Sequence, residues 1–309
     1  MTDEPPRAAT AGTPCARPSV IVPAHDEERV IARTLHGLLG TSAVEQGGGP
    51  RTAPGPLPFD VVVVCNGCLD STAERARTVH PAVRVIEIDE ASKPAALAAG
   101  DASARGYPRV YLDADVELDG SHLLALCAAV RSTGVHAAGP RRTVERADSS
   151  WVVRRYYDVW ERLPQVVDGL FGRGVLVMDR TGHARVRALP AMMSDDLVAA
   201  EAFAPHERVV VEDAVVVVRA PLTTADLLRR RVRVVTGNAQ ASAAGLRSPA
   251  SVTSPGTLVA LVRERPRSLG AVTVFVAVTL VARLRARRAI RRGDTTTWLR
   301  DASSRTGGR

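Results

Sequence analysis

The chain is short of residues that several protein classes depend on, and each shortage removes a class. Aromatic residues make up 4% of the 309 positions, too few to supply the stacking platforms on which proteins hold RNA or single-stranded DNA. Cysteine is confined to Cys15, Cys65, Cys68 and Cys127, too few and too scattered for a disulfide scaffold, so a reducing cytoplasm is the expected setting. Lysine occurs once, at Lys93, although the net charge is +8. Basicity of that order ordinarily raises nucleic acid or an anionic membrane as a partner. Here it rests on arginine within an Ala-, Val- and Gly-rich composition typical of a GC-rich coding background, and no nucleic-acid partner is expected. The N-terminal stretch 1–18, MTDEPPRAATAGTPCARP, lacks the apolar core of a signal peptide and is expected to be a disordered leader.

What is present is a repeating unit. SVIVPAHDEERVIARTLHGLL begins with an apolar run, turns at Pro23, and continues with Val30, Ile31, Leu35 and Leu38 at helical spacing, with Asp26, Glu27 and Glu28 expected in the first helical turn. EQGGGPRTAPGPLP reads as a surface loop. DVVVVCNGCLDSTAERARTV repeats strand, turn and helix, followed by VRVIEI, KPAALAAGDASARG and RVYLDAD. Such alternation predicts an α/β fold with a mostly parallel sheet and helices on both faces. Ligands of such sheets bind beyond the carboxyl ends of the strands, where His25 to Glu28, Cys65 to Asp70 and Asp113 to Glu117 would all open.

Further on, VHAAGP reads as a strand and WVVRRYYDVWERL as a helix whose aromatics serve as core, lid or, for Tyr157 and Trp160, acceptor cleft. LGAVTVFVAVTLVA is an uncharged run over residues 269–282, within a candidate membrane-associating segment at 269–284, and is short of the ~20 residues of a membrane span. With the arginines that follow, it is either an interfacial membrane segment or a buried element with a solvated basic tail.

The densest acidic cluster is VYLDADVELDG. An EF-hand beginning at Asp113 would require Gly and Glu where Leu118 and Leu124 stand, and a Walker-type site would require a P-loop lysine, whereas the sole lysine lies in Ser92-Lys93-Pro94. On an extended backbone Asp113 and Asp115 would point to one side and suit a hard divalent cation on phosphate oxygens; a solvated acidic turn is the alternative. Glu117 and Asp119 are expected to be solvated or to head the next helix. Asp195 and Asp196 open an apolar stretch and are equally explained as helix N-terminal acids. Cys65-Asn66-Gly67-Cys68, at a strand end before a helix, has the placement of a redox dithiol with a lowered pKa. Zinc is not expected, because no second Cys/His pair has ligand spacing.

Taken in order, SVIVPAHDEE, VVVVCNGCLDST, SKPAALAAG, YLDADVEL, SDDL and RRRVRVVTG resemble the family 2 glycosyltransferases of the nucleotide-diphospho-sugar transferase (GT-A) superfamily, over about residues 19–238. The resemblance implies a GT-A-like domain at 19–240, with a nucleotide-binding half at about 19–120 and an acceptor half at about 121–240. Residues 241–309 would form a C-terminal extension with an apolar and basic helical segment. It implies that Pro23, His25, Glu27, Asn66, Asp70, Lys93 and Asp113 hold a nucleotide-diphospho-sugar donor. Asp115, with Asp113, would bind Mg or Mn. Asp196, within the pair Asp195–Asp196, falls on the general base, and Arg230 and Arg233 fall where the family steadies the leaving diphosphate. The acceptor, a saccharide or a lipid-linked molecule, is not named by these residues.

This chain departs from the family at Cys65 and Asn66, which stand where acids commonly read the base, at Ala98 in place of Asn, and at Val234 in place of Trp. The last change favours transfer of a single sugar over processive synthesis. A non-catalytic nucleotide-sugar-binding or membrane-peripheral protein of the same fold, and a Cys-x-x-Cys redox protein, are the competing expectations. The expected location is cytoplasmic, peripheral at the inner face of the plasma membrane.

Overall fold

The computed structural model describes residues 17–40, 57–190, 195–248 and 251–291. Nearly all of the expected leader, most of the expected Gly/Pro-rich loop and the end of the basic tail lie outside the described residues. The chain opens with β1 (Ser19–Ala24), α1 (Ile31–Leu39), β2 (Asp60–Asn66), α2 (Thr72–Val79), β3 (Arg84–Ile88), α3 (Lys93–Ser103) and β4 (Arg109–Leu112). These strands are mutually parallel, β1 lying between β2 and β4 and β3 outside β2.

Burial explains the valine run of β2. Val61 and Val63 pack into the core made with Ile31, Leu35 and Ala73, while Val62 and Val64 pack with Ile21 and Ala96 on the other face. A strand covered on both sides must be apolar at consecutive positions, and each buried valine contributes about 1.5–3 kcal/mol.

Next come β5 (Glu117–Leu118), α4 (Gly120–Ala129), β6 (Ala137–Glu145), α5 (Trp151–Trp160), α6 (Pro164–Val167), β7 (Val175–Met178), α7 (Arg180–Arg187), α8 (Asp195–Glu201), β8 (Arg208–Arg219) and α9 (Thr224–Ala243). The completed eight-stranded sheet has the order β3-β2-β1-β4-β7-β6-β8-β5. Here β7 runs antiparallel to β4 and β6, and β5 antiparallel to β8, while β6 and β8 are parallel. The sheet is therefore mixed and mostly parallel, with helices on both faces, a GT-A-like architecture.

Two elements differ from the sequence pattern in extent. α1 begins at Ile31 rather than at Asp26, because Asp26 adopts a left-handed backbone (φ +52°) and leaves the three acids in a loop. The boundary expected near residue 240 falls inside α9, which continues to Ala243.

Two helices close the described chain, α10 (Pro255–Glu264) and α11 (Leu269–Arg291). The apolar run and the arginines after it form one continuous helix of 23 residues. Ala271, Phe275, Val278, Ala282 and Ala286 bury one face of α11, at helical spacing, against α5 and α9. The opposite face leaves Leu269, Leu280 and Leu284 more than half exposed. Among the described residues, Pro266–Arg291 is the one helix long and apolar enough to cross a membrane by length and composition, and 33% of its apolar window is buried against the rest of the chain.

Candidate active site

The carboxyl ends of β1, β2 and β4 open onto a cavity of about 600 Å³. The end of β1 contributes Pro23, the β1–α1 loop His25 and Glu27, the end of β2 Asn66, and α3 presents Lys93 from its first turn. Ser92 fixes that turn by accepting a hydrogen bond from Ala95 N at 3.2 Å. Asp113 and Asp115 enter from the end of β4. From the other half of the molecule come Asp196, near the start of α8, and Arg230 and Arg233 on α9. Residues more than 200 positions apart thus line one space.

Two predicted residues stand apart. Asp70 is not among the lining residues; its carboxylate accepts from Glu28 N at 3.1 Å and Thr72 N at 3.0 Å, tying the β1–α1 loop to the start of α2. Asp195 is the first residue of α8, and its side chain lies outside what the structure describes.

Asp113 and Asp115 lie in a turn, not on extended backbone, with Val116 N donating to Asp113 O at 3.3 Å. Lys93 Nζ donates to Asp113 Oδ1 at 2.9 Å, so the only lysine of the chain is the counter-ion of the first acid. Asp115 is exposed to the cavity. Glu117 is neither solvated alone nor at a helix start: it lies in β5 and pairs with Arg33 at 2.9 Å and Arg219 at 3.2 Å. Asp119 does head α4, accepting from Ser121 N at 2.8 Å, and the hydrogen bonds from Ser121 hold its carboxyl below the usual range.

Sequence patterns gave no weight to the segment Gly169–Gly174, which joins the two acids. Gly172 N donates to Asp196 Oδ2 at 2.9 Å, and Gly174 O accepts from Asp113 N at 2.8 Å. Gly174 has φ +66°, and a Cβ there would stand 2.3 Å from Val116 Cγ2, so a side chain is excluded by both conformation and space.

Two arginines hold the segment by its carbonyls. Arg173, 2% exposed, donates to Gly169 O at 2.9 Å, Pro140 O at 2.6 Å and Val167 O at 2.7 Å. Arg142 donates to Phe171 O at 3.0 Å, Gly172 O at 2.8 Å and Val166 O at 3.0 Å, with its guanidinium 4.4 Å from the Trp160 ring centre. Burial lowers the pKa of Arg173 to about 10, and burial beside Arg173 lowers that of Arg142 to about 9. Both remain charged at neutral pH. The signal was available as GLFGRG, a glycine-spaced run before a strand, but its partners are distant in sequence.

The second half of the cavity is aromatic and basic. Tyr156, Tyr157 and Trp160 line it, and Tyr156 stacks on Phe275 of α11 at 5.0 Å and 23°. Core and cleft are the same residues here, because Tyr156 and Tyr157 are buried and also face the cavity. Trp151 lies off it, 55% exposed. Arg231 and Asn238 also line the wall, and Arg231 Nε, Asn238 Oδ1 and Tyr156 Oη are buried without a hydrogen-bond partner among the described residues. Buried polar groups of this kind favour a polar ligand.

The thiols do not have the character of a redox pair. Burial and the neighbouring Cys68 push the Cys65 thiol up to about 12, and burial raises Cys68 as well, opposite to the lowered pKa that a reactive dithiol requires.

In solved structures the chain is similar to the mannosyltransferase PcManGT from Pyrobaculum calidifontis, in complex with GDP-Man and Mn2+, at 20% identity and TM-score 0.55, covering 98% of this chain and 88% of that one. A weaker likeness, TM-score 0.42 at 16% identity, is to glucosyl-3-phosphoglycerate synthase from Mycobacterium tuberculosis in complex with phosphoglyceric acid, covering 67% of this chain and 70% of that one. No curated protein matches the sequence significantly. The family model for glycosyl transferase family 2 matches residues 19–189, more than half of the chain, from β1 to just beyond α7 and including the segment Gly169–Gly174. The chain belongs to glycosyl transferase family 2.

Proposed function

We propose that the protein transfers one sugar from a nucleotide-diphospho-sugar to an acceptor hydroxyl, with inversion and with the help of a divalent cation. The observation that carries this is the convergence on one cavity of two strand-end acids, a lysine, a carboxylate near a helix start and helical arginines from distant parts of the chain. The donor would lie over the ends of β1 and β2 against Pro23, His25, Glu27 and Asn66, with its diphosphate toward Lys93 and Asp113.

The site suits a hard cation. Asp115 offers oxygen ligands at the cavity surface, and Asp113, paired with Lys93, lies two residues away. Mg2+ or Mn2+ held mainly by Asp115 would neutralise diphosphate charge when bound. Asp196, oriented by Gly172 N, accepts the proton of the acceptor hydroxyl as its oxygen attacks the anomeric carbon. The bond from that carbon to the phosphate oxygen breaks with its electron pair on the nucleoside diphosphate. Arg230, Arg233 and Lys93 stabilise that growing negative charge.

Val234, which lines the cavity where the family carries tryptophan, supports single transfer. The acceptor would enter between α5, α9 and α11, past Tyr157 and Trp160. Because Phe275 of α11 is part of that wall, a saccharide or lipid-linked acceptor at a membrane surface fits the site, and the arginine-flanked outer face of α11 fits peripheral contact with an anionic cytoplasmic leaflet.

The test is a thermal-shift screen of UDP-, GDP- and dTDP-sugars with Mn2+, with GDP-mannose as the first probe, followed by transfer assays on membrane and saccharide fractions. Stabilisation that requires both nucleotide and metal and disappears in Asp115→Ala is expected. Stabilisation unchanged in that variant would remove the metal assignment, and donor binding without transfer to any acceptor would favour a binding protein.

A further inference from the structure

We propose that the β1–α1 and β2–α2 loops build a second metal site, with His25, Asp26 and Cys68 as ligands, that takes a borderline-soft divalent cation, Zn2+ first, and leaves one position open. The candidate ligand atoms of these residues all lie within 4.8 Å of one another. In a tetrahedral zinc site, metal–ligand bonds near 2.0–2.3 Å set ligand atoms about 3.3–3.6 Å apart. His25 Nε2 and Asp26 Oδ2 already stand at 3.7 Å, so closure requires small side-chain shifts.

The surroundings orient the ligands. His25 Nδ1 donates to Asn66 O at 2.5 Å, which assigns a ring proton to Nδ1 and leaves Nε2 as the ring nitrogen 3.7 Å from Asp26 Oδ2. Asn66 is held in turn by its Nδ2 bond to Ala24 O at 2.8 Å. Asp26 keeps a left-handed backbone, uncommon for a residue with a side chain, and its Oδ1 accepts from Leu69 N at 2.9 Å, leaving Oδ2 as the oxygen that faces the histidine. The half-buried Cys68 Sγ lies 3.5 Å from Asp26 N and 3.5 Å from Ala24 O. Metal binding would displace its proton.

One sulfur, one imidazole and one carboxylate select against Mg2+ and bind Zn2+ more strongly than Mn2+, the reverse of the hard oxygen set at Asp115. The ligands come from loops about forty residues apart, which is why no Cys/His spacing announces them. Since His25 also lines the cavity, an ion there would compete with the nucleotide end of the donor; only that consequence rests on the proposed function.

Co2+ added to the full chain without any nucleotide tests the site directly. One equivalent is expected to give tetrahedral d–d absorption and a thiolate-to-cobalt charge-transfer band, displaced by Zn2+, retained in Asp115→Ala and absent in Cys68→Ser. Asp26→Asn, which keeps the acceptor for Leu69 N, is expected to weaken Zn2+ binding at least about tenfold, the lower limit for perturbing ligand support. Absence of the charge-transfer band in wild type, its survival in Cys68→Ser, or unchanged Zn2+ affinity in Asp26→Asn would each overturn the proposal.

Discussion

On one side of the cavity, polar groups stand at the ends of parallel strands whose side chains are sealed on both faces; on the other, they project from helices and a glycine-spaced segment held by the buried Arg173 and the partly buried Arg142. The strand side is predominantly acidic, with Lys93 as its only lysine, and the helix side carries Arg230, Arg231 and Arg233 with Asp196. The strand-side positions are fixed by backbone register, so local sequence nearly suffices to place them. The helix-side positions depend on tertiary contacts from Arg142, Arg173 and α11. The lesson is that comparable substitutions should be absorbed differently on the two sides.

The largest expected effect is kinetic. Asp196→Asn should lower kcat by about 10²–10⁴-fold with donor affinity kept, because it removes the proton acceptor while preserving an oxygen for Gly172 N. Steady-state kinetics with direct donor binding checks this, and a wild-type kcat would move the base to another residue. Phe275→Ala should then cost about 3–5 kcal/mol in denaturant unfolding, since it empties the contact between α11 and Tyr156. A loss below about 1 kcal/mol would show that α11 is not part of the helix-side core.

Arg173→Met should cost about 3 kcal/mol, because Gly169, Pro140 and Val167 carbonyls lose a charged donor. It should also lower transfer through the displaced Gly172–Asp196 bond. Unchanged turnover in a folded Arg173→Met protein would cut the link between that segment and catalysis. The smallest stability change is expected for Leu284→Ser on the outer face of α11, within about 0.5 kcal/mol. The same variant should be retained less on anionic vesicles, and equal retention would place the membrane contact elsewhere.

Much of the strand side was legible in the sequence. Continuous apolar runs marked β1 and β2, and the acids after β4 marked the edge that opens onto the cavity. The start of α1 was not legible, because the left-handed turn at Asp26 is stabilised by Leu69 N and Cys68 Sγ from another loop, which helical spacing does not register. The partners of Glu117 were missed for the same reason: Arg33 and Arg219 are distant in sequence and meet it only once β5 pairs with β8. Arg173 looked like one arginine among many, and its role follows from carbonyls that only the folded segment presents.

The pairing of Lys93 with Asp113 has a practical consequence. A protein with a single side-chain primary amine offers amine chemistry one address besides its N-terminus, and here that address opens on the cavity proposed for the donor. Reductive methylation with an isotopic label would put one spectroscopic reporter beside Asp113 without any engineered substitution. Its signal would record the state of that carboxylate as nucleotide and cation arrive, and the rate of acylation at the same nitrogen would measure how far each of them shields it.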